Sequence, residues 1–209
     1  MANVLTLSAS DLAALLCSKV CHDIISPVGA INNGLELLDE GGADEDAMML
    51  IRASATNASA RLQFARIAFG AAGSAGSQID TGDAQAVAES FIANEKPELI
   101  WEGQRALLPK QKVKLLLNLI LIANAAIPRG GEIKVSLDSL ETAPVFTIKA
   151  TGRMIRVPPH FLELHGGSVG DEPINAHSIQ AYYTILMAAE AKMEIGISTT
   201  GDSVTLTAR

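Results

Sequence analysis

Aromatic side chains are scarce in this chain: 4% of 209 residues, with one Trp, two Tyr and five Phe. The core must therefore be filled by aliphatic side chains, and an Ala- and Leu-rich chain leans toward helix. Basic residues are also in short supply. Sixteen Lys and Arg stand against 23 Asp and Glu, a formal charge of −7. That balance excludes the broad cationic face needed to displace counterions from nucleic acid, so no nucleic-acid partner is expected. There are only two cysteines, Cys17 and Cys21. A disulfide-stapled fold is excluded, and a bridge across one turn of a helix would constrain nothing. The expectation is reduced thiols packed as small apolar groups. The run Cys17-Ser-Lys-Val-Cys21-His22 offers too few convergent ligands for a closed zinc site, so no metal is expected. Long apolar runs are missing too. The longest, Leu115–Ile127, is broken by Asn118 and Asn124 and is too short to span a bilayer. Met-Ala-Asn-Val-Leu at the start has no basic stretch, and Asp11 interrupts the first apolar run, unlike a secretory signal. A soluble, cytoplasmic protein without membrane attachment is expected.

Hydrophobic residues make up 48% and charged residues 19%, which supports a packed core in one large domain or two small ones. Residues 10–40 read as a helix, with Ser10 as N-cap, Asp11 in the first turn and Gly41-Gly42 as the stop. Residues 44–69 read as a second helix whose first turn carries Asp44, Glu45 and Asp46, charges that suit the helix dipole. The short gap between them predicts an antiparallel hairpin. In the second helix Met48, Ile51, Ala55, Ala58, Leu62, Ala65 and Phe69 recur at steps of three and four, a bundle seam. Met49, Leu50, Phe64 and Ile67 lie off that seam and predict a second buried face, which a homodimeric four-helix bundle would satisfy. A glycine- and serine-rich connector follows, from Gly70 to Ser77.

Beyond it the pattern changes. Helices are expected at Ala84–Asn94, Lys110–Ile127 and Ile174–Ala191. Strands are expected at Leu99–Glu102, Glu132–Asp138 and Val145–Ala150, with a hairpin of Lys192–Thr199 and Ser203–Thr207 about Gly201-Asp202. The fold class is α+β: a two-helix hairpin in residues 1–75, then an α/β sandwich in residues 76–209.

His22 stands out on a helical wheel. Leu16, Val20, Ile24, Val28, Ile31, Leu35 and Leu38 share one face of the first helix, and His22 points the opposite way. Asp23 follows it. Ile25, an apolar side chain, shares its outward face, and Ser26 and Gly29 keep the surface low beside the imidazole. An exposed nucleophile with a small apolar apron suits a docking protein. Pro27 removes a backbone hydrogen bond to the Asp23 carbonyl and predicts a kink. His160, His165 and His177 are scattered and read as surface or packing residues. Lys110, Lys112 and Lys114 read as the solvated start of a helix, and Trp101 as a core or interface residue. Nothing matches a Ser-His-Asp set, a P-loop or a dinucleotide-binding turn.

His22-Asp-Ile-Ile-Ser-Pro27, on the first helix of a hairpin, resembles the phospho-acceptor box of sensor histidine kinases. The second half resembles the kinase ATP-binding domain without its ligands. Asn118 matches the first asparagine of the asparagine box, while Ile122 stands where the second, magnesium-holding asparagine belongs. Ala150-Thr-Gly152-Arg-Met154 keeps one glycine of the adenine-binding box and lacks its aspartate. In place of the glycine-rich lid is Asp171-Glu-Pro-Ile-Asn-Ala-His-Ser. An intact acceptor histidine on a degenerate ATPase domain resembles the ChpT family of alphaproteobacterial histidine phosphotransferases, over nearly the whole chain.

That resemblance implies a homodimer that takes a phosphoryl group from the receiver domain of a hybrid histidine kinase (CckA-like). It then passes the group to response regulators (CtrA-like, CpdR-like). It implies His22 as phospho-acceptor and no cofactor in this chain, the Mg2+ being supplied on the partner receiver. Asp23 is expected to orient the second ring nitrogen or anchor the helix, and Lys19 to neutralise charge on the transferring group. Arg61 or Arg66 is expected level with His22 across the hairpin. Ser18, Ile25, Ser26, Gly29 and Asn33 are expected to line the partner-binding strip, by steps of three and four. Two rival readings are an ATP-dependent histidine kinase and a non-catalytic dimeric scaffold.

Overall fold

A computed structural model describes residues 6–40, 44–70, 78–168 and 173–209. Helix α1 spans Ala9–Asp39 and α2 spans Asp44–Ala68, and the two pack along their length as a hairpin. The cap of α1 is Ser8 and not Ser10: its Oγ accepts the Asp11 N–H at 3.2 Å, and Ser10 Oγ lies 2.8 Å from it. Gly41-Gly42 and the connector from residue 71 fall outside the described residues. The helix continues through Pro27, which is buried and leaves the Asp23 carbonyl without its helical donor. Gly34, also buried, faces α2 directly. A Cβ there would stand 2.6 Å from Ile51 Cγ1 and 3.3 Å from the Ala47 carbonyl oxygen.

The seam expected along α2 splits in two. Ala58 is buried, and Ile51, Ala65 and Phe69 are half-buried within the chain, while Met48, Ala55 and Leu62 face outward. The second face splits as well: Phe64 and Ile67 are buried, Met49 and Leu50 exposed. On α1, Leu16, Val20, Ile24, Ile31 and Leu38 are half-buried, and Val28 and Leu35 are exposed. Cys17 and Cys21 are exposed as well, not packed inside. They belong to the same outward stripe, and the neighbouring Cys17 holds the Cys21 thiol above its usual range. Taken whole, α1 is long and apolar enough to cross a membrane by length and composition. It holds no long unbroken apolar run, because its polar residues are spread along the helix.

The second half begins with β1 (Gln78–Asp80) and α3 (Thr81–Ile92), then β2 (Glu98–Glu102) and β3 (Leu107–Pro109). Helix α4 (Lys110–Ala126), β4 (Glu132–Asp138), β5 (Val145–Thr151) and α5 (Pro159–His165) follow, and α6 (Ile179–Ala191), β6 (Ile195–Thr199) and β7 (Ser203–Ala208) close the chain. Five strands form one sheet in the order β2-β4-β5-β7-β6. β2 and β4 are parallel, joined by a crossover through α4, and the other pairs are antiparallel. β4 alternates as its sequence predicts, with Ile133, Val135 and Leu137 buried. The buried α4 packs on β5 and β7 and against α6, which makes the expected two-layer sandwich. At Gly131, φ is +141° and a Cβ would overlap the Thr151 carbonyl oxygen, so only glycine fits between α4 and β4.

Several expectations shift. α3 starts at Thr81, three residues early, because Asp80 caps it. α6 starts at Ile179, five residues late, because Asn175 and Ser178 bond each other's backbones in a turn. The pair β1–β3 and helix α5 lie where the sequence pattern predicts no element. Lys114 is half-buried, its Nζ 3.4 Å from both the Phe69 carbonyl oxygen and the Tyr183 hydroxyl. Burial lowers its pKa, and burial pushes the Tyr183 phenol up to about 12. Trp101 is half-buried against the core.

The hairpin and the sandwich share one core. Phe64, Ile67 and Ala68 of α2 join it, and Leu7, Leu12, Leu15 and Leu16 pack against it. The Leu7 N–H donates to the Tyr182 hydroxyl of α6 at 3.0 Å. This bond ties the residue before the α1 cap to the first turn of α6.

Candidate functional site

His22 projects from the middle of α1 with its side chain 74% exposed, as the helical wheel predicts. Its Nδ1 lies 3.6 Å from Asp23 Oδ1, which leaves Nε2 as the nitrogen away from the carboxylate. Asp23 is gripped from the other side: Lys19 Nζ donates to Asp23 Oδ2 at 2.8 Å across one helical turn. Lys19 is thus committed to the carboxylate and only 19% exposed, where the sequence placed it against the transferring group.

Four of the five residues in the strip expected beside the imidazole are open to solvent. Ser18, Ile25, Ser26 and Asn33 are exposed, and Ile25 is 71% exposed. Gly29 is half-buried, with nothing within 4 Å of where a Cβ would sit, so the surface dips next to His22. An isoleucine this open to water is a local cost that a docking protein would remove.

Beside His22 a cleft of about 300 Å³ runs between the hairpin and the sandwich. Lys19, Asp23, Arg61, Glu95, His160 and His177 contribute its polar wall, and Phe64, Phe69 and Phe91 its apolar floor. Of the two arginines weighed, Arg61 reaches this level and Arg66 does not: Arg66 is exposed and bonds Gln63 on its own helix. Arg61 is fully engaged. It donates through Nε to Asn57 Oδ1 at 2.8 Å, pairs with Glu95 Oε1 at 2.6 Å, and lies over the Phe91 ring.

The sequence missed His177. Its ring centroid stands 6.0 Å from that of His22, at an interplanar angle of 78°. No local spacing could have found it, since the two residues are 155 positions apart and are joined only by the docking of α6 on α1. His160 lines the cleft and pairs with Glu163 at 3.2 Å, and His165 Nε2 lies 2.8 Å from the Ile195 carbonyl oxygen, on another side of the fold.

At the positions whose sequence resembles the kinase nucleotide boxes, the side chains are otherwise occupied. Asn118 is fully buried; its Nδ2 donates to the Lys114 and Ala68 carbonyls, and its Oδ1 accepts from Gln180 Nε2 at 2.6 Å. Both ends of that amide are spent on tying α4 to α2 and α6. Ile122 and Ala150 are buried and apolar. Gly152 lies against the Gly130 carbonyl oxygen, which a Cβ would approach to 2.8 Å. Asp171 and Glu172, expected in place of the lid, lie outside the described residues. Among the described residues no three His, Cys, Asp or Glu side chains converge on a metal-sized site.

Residues 81–203 match the family described as histidine phosphotransferase C-terminal domain. Over 203 residues the chain is 68% identical to the protein phosphotransferase ChpT of Brucella abortus (strain 2308), covering 97% of each chain. A solved bacterial phosphotransferase superposes with a TM-score of 0.93 at 66% identity, over 98% of each chain.

Proposed function

The chain belongs to the histidine phosphotransferase family, and from that premise we propose that His22 is the residue that carries the phosphoryl group. The group arrives from the phospho-aspartate of a hybrid kinase's receiver domain and leaves to the aspartate of a response-regulator receiver, in the manner of CckA-like donors and CtrA-like or CpdR-like acceptors. Residues 1–75 serve transfer and dimerisation, and residues 76–209 hold a kinase-like domain without kinase chemistry. The setting is the cytoplasm.

The observation that carries this reading is the pairing of an open His22 with an occupied Asn118. The imidazole is presented for a large partner, while the side chain that would begin a nucleotide site is locked into the core. The attack uses an unprotonated ring nitrogen, and Nε2 is the one turned away from the Asp23 carboxylate. In the forward step the Nε2 lone pair attacks phosphorus in line. The N–P bond forms, the P–O bond of the acyl phosphate breaks, and the electron pair leaves on the receiver's carboxylate. The ring is left cationic with its proton on Nδ1, facing Asp23, whose negative charge stabilises it. Lys19 keeps that carboxylate in place. Phosphoryl transfer asks for alignment and charge compensation, and the Mg2+ that helps supply them belongs to the receiver.

The outward stripes support a homodimer. On α1, Ala14, Cys21, Val28 and Leu35 are exposed at steps of seven; on α2, Met48, Ala55 and Leu62 are exposed at the same step. Two hairpins joined by these stripes form a four-helix bundle with His22 on its outside.

The test is to mix the protein with a labelled phospho-receiver and with labelled ATP and magnesium, separately. Label should pass from the receiver to the parent and not to His22→Ala, and ATP alone should give none. Stoichiometric labelling by ATP that requires His22 would make the protein a kinase. No transfer from donor receivers that label a control phosphotransferase would make it a scaffold.

A further inference from the structure

We propose that His177, brought in from the turn before α6, is a phosphoryl-binding residue: as an imidazolium it donates a hydrogen bond to the phosphoryl group on His22. The proposal rests on His22 being the carrier. Three observations carry it. The two rings stand 6.0 Å apart between centroids, so rotation of the His177 side chain brings its N–H to an oxygen bound on His22. The backbone beneath it is fixed, because the His177 N–H donates to Asn175 Oδ1 at 2.9 Å and the next residues, Ser178 and Ile179, are buried. Its ring, by contrast, has no hydrogen-bond partner among the described residues.

The third observation is that the neighbouring cations are already neutralised. Lys19 on α1 is paired with Asp23, and Arg61 on α2 with Glu95 beyond α3; the His160 ring on α5 is already engaged by Glu163. A phosphoryl group adds close to two negative charges beside these closed pairs. Freeing Lys19 or Arg61 to meet it would strip a carboxylate of its partner. His177 can gain a positive charge without breaking any pair, and a neighbouring dianion favours its protonated form. The sandwich, which makes no use of nucleotide in this reading, thus acquires a role at the transfer site.

The experiment loads the full-length protein with phosphoramidate, a small-molecule phosphoryl donor, and follows the phosphohistidine signal by phosphorus NMR. The His22→Ala variant identifies the signal that belongs to His22. In His177→Ala the His22-borne group should decay about tenfold faster near pH 6, what one hydrogen bond to a charged group is worth. The parent-to-variant ratio should fall toward one by about pH 9, where an imidazole is neutral. His177→Arg should restore the lifetime and remove that pH dependence, which a merely structural role would not do. Equal decay of the His22 signal in parent and His177→Ala at every pH overturns the proposal alone. A signal that survives His22→Ala unchanged overturns the carrier reading and the proposal with it.

Discussion

Gly34 of α1 sits directly on Ile51 of α2, so close that a Cβ at position 34 would be 2.6 Å from Ile51 Cγ1. In an exposed helix Gly→Ala stabilises by about 1 kcal/mol. Here the β-branched Ile51 has little rotamer freedom to withdraw, and the helices must part. Gly34→Ala is therefore expected to lower stability by roughly 1–2 kcal/mol despite its better propensity. In an Ile51→Ala background the same change should cost nothing or stabilise, because the opposing methylene is gone. Denaturation midpoints of the four variants check the coupling, and additive effects would show that the contact does not set the helix separation.

Asp80 caps α3 and pairs with Arg105, and these contacts hold its carboxyl below the usual 3.8, the Gly82 N–H first and the Arg105 guanidinium second. Because the folded-state pKa is depressed, the stabilisation is complete above the ordinary carboxylate value. It is lost as pH falls through the lower, folded value. Asp80→Ala should melt below the parent at pH 7, and the gap should narrow steadily under about pH 4. A gap that stays constant into strong acid would mean that the charge on Asp80 contributes nothing.

Much of this architecture could be read from periodicity. The run Glu132–Asp138 and the apolar Lys110–Ala126 carry their own signatures, because burial on one face of a strand or around a helix writes itself into local order. The strip from Ser18 to Asn33 was legible for the same reason: a helix fixes which residues share a face. What escaped was set by distant contacts. β1 and β3 are three residues each, too short for a pattern, and exist only by pairing with one another. Lys114 looked solvated until α6 covered it with Tyr183. His177 looked incidental because its neighbour His22 arrives through the docking of α1 on α6. The α2 seam was visible, but not that alternate members, Met48, Ala55 and Leu62, would face away from the chain's own core.

Those outward residues make the oligomeric state testable. Leu35 and Leu62 are 47% and 49% exposed on the two stripes of the hairpin. Burying them in a partner contributes up to roughly 1.5–3 kcal/mol per side chain, and a carboxylate in their place would be buried unpaired. Light scattering should give the parent twice the mass of one chain, and Leu35→Glu combined with Leu62→Glu should give one chain mass. The doubly substituted chain should keep its sandwich fold by circular dichroism. A parent that is monomeric at micromolar concentration, or a dimer indifferent to both charges, would place the interface elsewhere.

Docking and chemistry can be separated at the strip itself. Under the proposed function, a receiver docks over Ile25, Gly29 and Asn33 to bring its phospho-aspartate to His22. Ile25 is 71% exposed and outside the core, so Ile25→Glu should leave folding unchanged. It would place a carboxylate in a desolvated contact beside the receiver's acidic pocket. Binding and transfer should both fall, roughly ten- to a hundredfold. His22→Ala removes a small part of the contact and the whole of the acceptor. Transfer should vanish while the receiver's Kd stays within about threefold of the parent value, since most interface residues contribute little when truncated. Titration calorimetry gives the binding and label transfer gives the chemistry. If Ile25→Glu binds and transfers like the parent, the receiver approaches His22 from the side of the cleft, and the strip along α1 is not its footprint.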